Sequence, residues 1–509
     1  MKVFVDGGGR LRHSFFVKEL EAVDASNSRS MDELGSKVGA ALRALQETGL
    51  FEKVDGSLVV PPSYDQHGKE IGGDLDNVEV HLKVKEKGIP FVEMGTYVQS
   101  KSGTAKAAEE SFKLDGALRS PFGFGETARI SLSTGRRGTR DVSVNFSLPH
   151  VGRDLYVLNL KGALTEEDKT YYQSYRLEST SLLAELVSRS GKHSLEASWT
   201  ARDEVPRALE CKSSTPSLLE RTAKDASGYI LSKVSASTKL ALKYTGILLD
   251  TRDSSADPSE GSYANATTEL CVAPGTARFA KAEVTLQKHA TLGPPILGQM
   301  GLVGSLVGNF GVIVPLGVVG SFLKGQGEKN SREGGARVEP DLSIPLSDRF
   351  TAGGPMNLRG FDMHGVGPRS FVGREGYLSP GSYQVNPDQA VGNHPIGDAI
   401  GGVGVASTSV VLSVPIPIPS ENQKFGGIRA FTFATTGTVA SPASWSQLAA
   451  VTRSGGAWWS CAPRVTVGGG FSVAFAPTAR MEITYSVPVL KSAHDVVRGF
   501  QLGLGLTIN

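Results

Sequence analysis

The chain has 509 residues, with 53 Lys and Arg against 51 Asp and Glu, 39% hydrophobic residues and 61 glycines. Charge this evenly balanced argues against a nucleic-acid partner, which needs a basic stripe. Cys211, Cys271 and Cys461 lie far apart with no CxxC or Cys/His cluster, which points to neither a zinc site nor a disulfide framework.

The start, Met1-Lys2-Val3-Phe4-Val5-Asp6, has neither the apolar core of a secretory signal nor an Arg/Ser-rich transit stretch. The expectation is a chain that is not exported across a bacterial inner membrane. Residues 1–88 read as a small α/β domain in the order β-α-α-β-β. A strand is predicted over 3–5 and a helix over 14–23. A second helix starts at Ser30, with Glu33 completing a capping box and Leu34, Val38, Ala41, Leu42 and Leu45 forming one stripe; Gly49 ends it. Strands follow over 51–60 and 77–85, joined by a polar loop over 61–76; in the latter strand Val78, Val80, Leu82 and Val84 alternate with charged or polar residues.

From residue 89 the helical period gives way to alternating segments separated by turns. Ala128, Ile130 and Leu132 alternate with Arg129, Ser131 and Ser133; Val142, Val144, Phe146 and Leu148 with Ser143, Asn145 and Ser147. Residues 89–509 have room for about sixteen strands of membrane-spanning length. The uncharged run 290–323 invites a transmembrane helix, but Pro294, Pro295 and Pro315 and eight glycines break it, so Gly-rich strands fit better. In the last strand Phe500, Leu502, Leu504, Leu506 and Ile508 share one face, and Gln501, Gly503, Gly505, Thr507 and Asn509 the other. That division fits lipid outside and a polar lumen inside. The fold class is therefore a transmembrane antiparallel β-barrel preceded by a small α/β domain.

Three strings carry the functional reading. Gly353-Gly354-Pro355-Met356-Asn357-Leu358-Arg359-Gly360-Phe361 places a double glycine before an apolar-Arg-Gly-aromatic tetrad. Asp250-Thr251-Arg252-Asp253 leads to Asp257-Pro258-Ser259-Glu260-Gly261, whose Asp and Pro-x-x-Gly supply turn chemistry. At the C-terminus Gln501, Gly503, Leu506 and Ile508 fit the pattern polar-x-Gly-x-x-hydrophobic-x-hydrophobic. Glu482, out of phase with Met481, Ile483, Tyr485 and Val487, falls on the opposite, inward face of its strand, which makes it the candidate partner for Arg359 if that guanidinium is lumenal, as the resemblance named next implies.

These strings resemble the signature elements of the outer-membrane protein insertase superfamily. The resemblance implies that the Leu358–Phe361 tetrad sits on a loop folded back into the barrel with Arg359 against its inner wall. It also implies that Asp250, Arg252, Asp253, Pro258 and Gly261 shape a tight strand-to-strand turn, mostly structural in role, with Ser254 standing where the family often has Asn. The C-terminal pattern resembles the targeting signal of mitochondrial β-barrels, and residues 1–88 resemble a POTRA (polypeptide-transport-associated) domain. A single such domain with no secretory signal is most similar to the mitochondrial branch, which forms the barrel subunit of the sorting and assembly machinery. The insertions 324–341 and 375–398 and the segment near Cys211 are not typical of that branch.

The resemblance implies insertion of β-barrel precursors into the mitochondrial outer membrane, with the N-terminal domain in the intermembrane space. The expected partners are precursor barrels, accessory subunits of a sorting and assembly complex, and lipid. A lateral gate is expected between the first strand, containing Gly95, and the last, where Gly499, Gly503 and Gly505 weaken the seam. No cofactor and no catalysis are expected: there is no Walker A motif, and Gly470-Phe471-Ser472-Val473-Ala474 lies within a strand, unlike a hydrolase elbow. The competing readings are a plastid or bacterial insertase or translocation pore, and a passive porin.

Overall fold

A computed structural model of the chain describes residues 2–506 apart from 8, 13, 17–30, 60–61, 65–69, 74–78, 89, 101–107, 136–138, 152–155, 171, 207–225, 298–299, 317–343, 371–396, 417–426, 441–462 and 477–478. The N-terminal unit holds β1 (Lys2–Asp6), a helix (Met31–Glu47), β2 (Phe51–Val59), β3 (Pro62–Tyr64), β4 (Glu70–Gly73) and β5 (Glu79–Glu86). Its main sheet runs β1-β5-β2, with β5 parallel to β1 and antiparallel to β2. Val38 and Leu45 on the helix stripe are buried against Phe51, Leu82 and Val84, together with Leu11, Phe15 and Phe16. The loop predicted over 61–76 differs from expectation: β3 and β4 pair within it as a short hairpin. Of the first predicted helix, residues 14–16 are helical; its remainder, Ser30, and Ile508 of the tail pattern lie outside the described residues.

Sixteen strands form the second sheet: β6 (Pro90–Ser100), β7 (Ala108–Arg119), β8 (Thr127–Gly135), β9 (Arg140–Val151), β10 (Tyr156–Asp168), β11 (Tyr175–Ser188), β12 (His193–Pro206), β13 (Ser237–Asp250), β14 (Gly261–Val272), β15 (Phe279–Leu297), β16 (Met300–Pro315), then β19 (Gly404–Ile416), β20 (Gly427–Ala440), β21 (Arg464–Ala476), β22 (Ala479–Leu490) and β23 (Phe500–Leu506). The short pair β17 (Arg369–Ser370) and β18 (Asp398–Ala399) lies in the connection between β16 and β19. The uncharged run 290–323 supplies strand, pairing through β15 and β16, and among the described residues no helix is long and apolar enough to cross a membrane.

The sheet wears its apolar residues outward. Ile130, Leu132, Val144, Leu164, Leu182, Leu306 and Phe471 are exposed, whereas a soluble barrel would cover such a surface. The division is sharpest at the end of the chain: Phe500, Leu502 and Leu504 face out while Gln501 is fully buried, and Ile483, Tyr485 and Val487 face out while Glu482, Thr484 and Ser486 are buried. Neighbouring strands of this sheet pair antiparallel, so connections alternate between its two ends. The β7–β8 connection touches the N-terminal unit: the Arg12 amide donates to the Gly123 carbonyl at 2.9 Å, and the Arg12 guanidinium lies 4.0 Å from the Phe124 ring centre. The β13–β14 connection is at that same end, and the β16–β19 connection enters from the other.

Among the described residues no ladder joins β6 to β23. The seven residues of β23 pair with β22 from Ala479↔Leu506 to Tyr485↔Phe500, and Gly95 of β6 pairs with Lys113 of β7.

Candidate functional site

The β16–β19 connection is an inner loop. Its stretch 349–370 lies within the sheet, where Leu358, Phe361, Ala352, Val366 and Val439 form a buried cluster. Gly360 has φ +88°, and a Cβ there would fall 2.8 Å from Thr466 Cγ2, so both backbone and space require glycine. The turn at Gly360 points the preceding side chain, Arg359, at the inner wall of β22.

Arg359 Nη2 and Nε donate to one oxygen of Glu482, Oε2, at 2.7 and 3.3 Å. The other oxygen, Oε1, lies 2.6 Å from Arg480 Nη2. Both Arg359 and Glu482 are buried, and Phe433 and Phe431 flank the guanidinium with ring centres 5.1 and 5.7 Å away. One carboxylate thus carries two guanidiniums in a site lined by aromatic faces, where each charge contact is stronger than in water.

The last strand is part of the same site. Gln501 Oε1 accepts from the Gly360 amide at 2.9 Å, and its Nε2 donates to the Phe361 carbonyl at 2.7 Å. A Cβ at Gly503 would stand 2.9 Å from Met356 Sδ, so the missing side chain lets the inner loop lie against β23. Arg498, just before β23, donates to Asp362 at 2.8 Å. Two residues of the tail pattern, Gln501 and Gly503, therefore contact the inner loop; Leu506 pairs with Ala479, and Ile508 is outside the described residues.

The Asp250–Gly261 string is not a tight hairpin tip. Ten residues separate β13 from β14, and they fold inward as a lumenal turn. Asp253 accepts from the amides of Ser254, Ser259 and Glu260 at 3.0, 2.9 and 3.2 Å and from the Ser259 hydroxyl, which closes the turn on itself. Arg252 pairs with Asp250 at 2.8 Å and lies 4.0 Å from the Tyr263 ring centre; Gly261 opens β14. Asp257 meets Arg429 of β20 at 2.7 Å, Pro258 offers its carbonyl to the same guanidinium, and Arg480 donates to the Ala256 carbonyl at 3.3 Å. Arg480 thus bridges the inner-loop contact and the turn. Between them lies a cavity of about 440 Å³ bounded by Arg252, Asp257, Arg359, Arg429, Arg480 and Glu482. Sequence reading singled out neither Arg429 nor Arg480; Arg480 carries a signal, a charged residue on the inward phase of a strand with an apolar outer face, whereas Arg429 is in phase with the inward-facing Phe431 and Phe433, so alternation hides it.

Farther along the inner loop, His364 stacks on Tyr172 with ring centres 3.7 Å apart and bonds the Thr351 hydroxyl at 2.6 Å. Burial, with Lys169 and Arg369 nearby, pushes the imidazole down to about 4. Arg369 donates to the carbonyls of Gly397 and His364, both at 2.7 Å, and burial lowers it to about 10.

A lipid-facing sheet of sixteen strands, a preceding α/β unit and an arginine-anchored inner loop define an outer-membrane assembly barrel. Residues 121–508 match the Omp85 superfamily domain, and the chain belongs to that superfamily. It is similar to a SAM50-like protein of Schizosaccharomyces pombe, at 26% identity covering 99% of this chain and 89% of the relative. It is also similar to the sorting and assembly machinery component 50 homolog of Homo sapiens, at 24% identity over the same shares. Among solved structures, BamA from Haemophilus ducreyi lacking POTRA domains 1–3 shares the fold, with TM-score 0.66 and 17% identity, covering 98% of this chain and 83% of that one.

Proposed function

We propose that this protein inserts and assembles β-barrel precursors in the mitochondrial outer membrane through a lateral gate between β6 and β23. The observation that carries the gate is the state of the last strand. Among the described residues β23 has β22 on one side and no ladder to β6 on the other, while Gln501 ties it from within to the inner loop. An unpaired strand edge is a template for another strand. A precursor's last strand can dock there by β-augmentation, driven by strand pairing and burial in lipid, with no chemical step and no cofactor. The names of the relatives support the sorting and assembly setting. In this reading residues 1–88 form a POTRA-like domain in the intermembrane space and 89–509 the barrel, with accessory subunits of a sorting complex as partners.

The test is cysteine crosslinking in isolated mitochondria, on a background lacking Cys211, Cys271 and Cys461. One cysteine is placed within 91–99 and others along the last strand of an arrested barrel precursor. Register-specific crosslinks that vanish when the precursor's last strand is scrambled are expected. A folded, membrane-embedded protein that never crosslinks would overturn the gate.

A further inference from the structure

The inner loop is gripped at a second place that no sequence motif marks. We propose that Asp348 is a positioning residue: it clamps the start of the inner loop to the wall opposite the seam, so that Arg359 meets Glu482 from a loop fixed at both ends.

Asp348 ends a short 3-10 turn, Leu346–Asp348, and is buried. Its Oδ1 accepts from Lys239 Nζ of β13 at 3.0 Å, and its Oδ2 lies 3.0 Å from Arg202 Nη2 of β12, an ion pair off the hydrogen-bond line. Lys239 also holds Glu269 of β14 at 2.5 Å. The neighbouring Ser347 is gripped twice by β12: its amide donates to Glu204 at 3.1 Å, and its hydroxyl accepts from Arg202 at 2.9 Å. Lys281 of β15 reaches the Asp348 carbonyl at 3.5 Å and lies 4.4 Å from the Phe350 ring centre. Below the turn Leu346 is buried with Tyr175, Tyr229, Ile230 and Ile400.

Position gives the clamp its meaning. In the sixteen-strand order β22 stands second and β12 tenth, half the sheet apart. The chain between Asp348 and Arg359 therefore crosses the lumen from one wall to the other. Next to the clamp, Phe350 exchanges backbone hydrogen bonds with Gly402 at 2.9 and 2.8 Å; the Asp348 ion pairs add the side-chain grip on β12 and β13 that makes the loop a crossbar, and its far end also carries Gln501 of the last strand. Orientation of a functional group by a fixed support is worth more than the contact itself, because small misplacements are costly.

The test uses the full chain in mitochondrial membranes with the native cysteines replaced and two added, Asn357→Cys and Ser407→Cys. In the native protein the Ser407 hydroxyl donates to Asn357 Oδ1 at 2.9 Å, two residues from Arg359. A short bifunctional thiosulfonate reads how often the loop occupies that position. Asp348→Asn is expected to lower the crosslinking rate several-fold, and Asp348→Glu to restore most of it. If Asp348→Asn does not assemble, Asp348→Asn with Lys239→Met retains Arg202 and Glu269 as balanced charges and is expected to show the same fall. Unchanged crosslinking in an assembled variant overturns the proposal. So does failure of both variants to assemble, which would make Asp348 a folding determinant instead. A second arm rests on the insertase reading: insertion of a radiolabelled barrel precursor should fall in Asp348→Asn and recover once the crosslink between positions 357 and 407 fixes the loop. If the parent inserts nothing, that reading fails while the crosslinking arm still decides the clamp.

Discussion

The two ends of the inner loop are held by different charge arrangements. At the seam wall one carboxylate, Glu482, serves two guanidiniums, those of Arg359 and Arg480. At the opposite wall the cations Arg202, Lys239 and Lys281 are matched by the carboxylates Asp348, Glu269 and Glu204. Burial raises the cost of charging Asp348, but Arg202 and Lys239 outweigh it and hold the carboxyl below the usual range. The opposite wall is locally neutral and has redundancy, since Lys239 keeps Glu269 if Asp348 goes. The seam wall has an excess positive charge balanced on a single side chain. Under the proposed lateral gate, a loop that keeps its place while the adjacent strands part needs one firm end and one end whose partners can exchange, and this asymmetry supplies both.

The largest effect is expected at Glu482. Glu482→Gln leaves the Arg359 and Arg480 guanidiniums without the carboxylate they share, and losing one partner of a buried pair costs about 3–5 kcal/mol. Denaturant unfolding of the detergent-purified protein measures it, against Asp348→Asn as the internal standard. A Glu482→Gln loss no greater than that of Asp348→Asn would break the comparison, because it would mean that the seam-wall charge is screened by water. Arg359→Gln should cost less, about 1–3 kcal/mol, since Glu482 keeps Arg480. The order Glu482 above Arg359 is thus a consequence of shared geometry. Equal losses would show that Arg480 cannot stand in.

That geometry was only half legible beforehand. Arg359 stands in a recognisable string whose family resemblance implied a lumenal position, and Glu482 falls out of phase with Met481, Ile483 and Tyr485, so alternation aimed that carboxylate at the lumen. Arg202, Lys239 and Glu269 also occupy inward positions of their strands. Alternation, however, states which way a side chain faces and not what it meets, and Lys239 and Asp348 are 109 residues apart. The lumenal turn was hidden for a related reason. Asp253 and Pro258 announce a turn, but its inward fold depends on Arg429, 172 residues beyond Asp257. The hairpin β3–β4 escaped because its segment is short and polar, with no apolar alternation to mark it. Strand number and facing were carried by local pattern; the clamps are made by register across the sheet.

A third effect separates the two ends by pH. His364 lies beyond Arg359, buried against Tyr172 and Thr351, with Lys169 and Arg369 disfavouring its charge and Asp362 favouring it. Its ordinary value of 6.5 falls to about 4 in the folded loop, so the unfolded chain binds the proton more readily. The stabilisation is fully present above 6.5 and is lost as the pH falls from 6.5 towards 4, by on the order of 1 kcal/mol per pH unit. Protease protection of the inner loop should therefore weaken between about pH 7 and about pH 5. His364→Asn tolerates the left-handed backbone, φ +55°, and removes the titrating group. It should flatten that dependence while leaving crosslinking between positions 357 and 407, beside Arg359, intact at neutral pH. If crosslinking falls as well, His364 supports the Arg359 contact directly, and the seam-wall end of the crossbar extends one turn farther along the loop than Asp362 and Arg498 mark it.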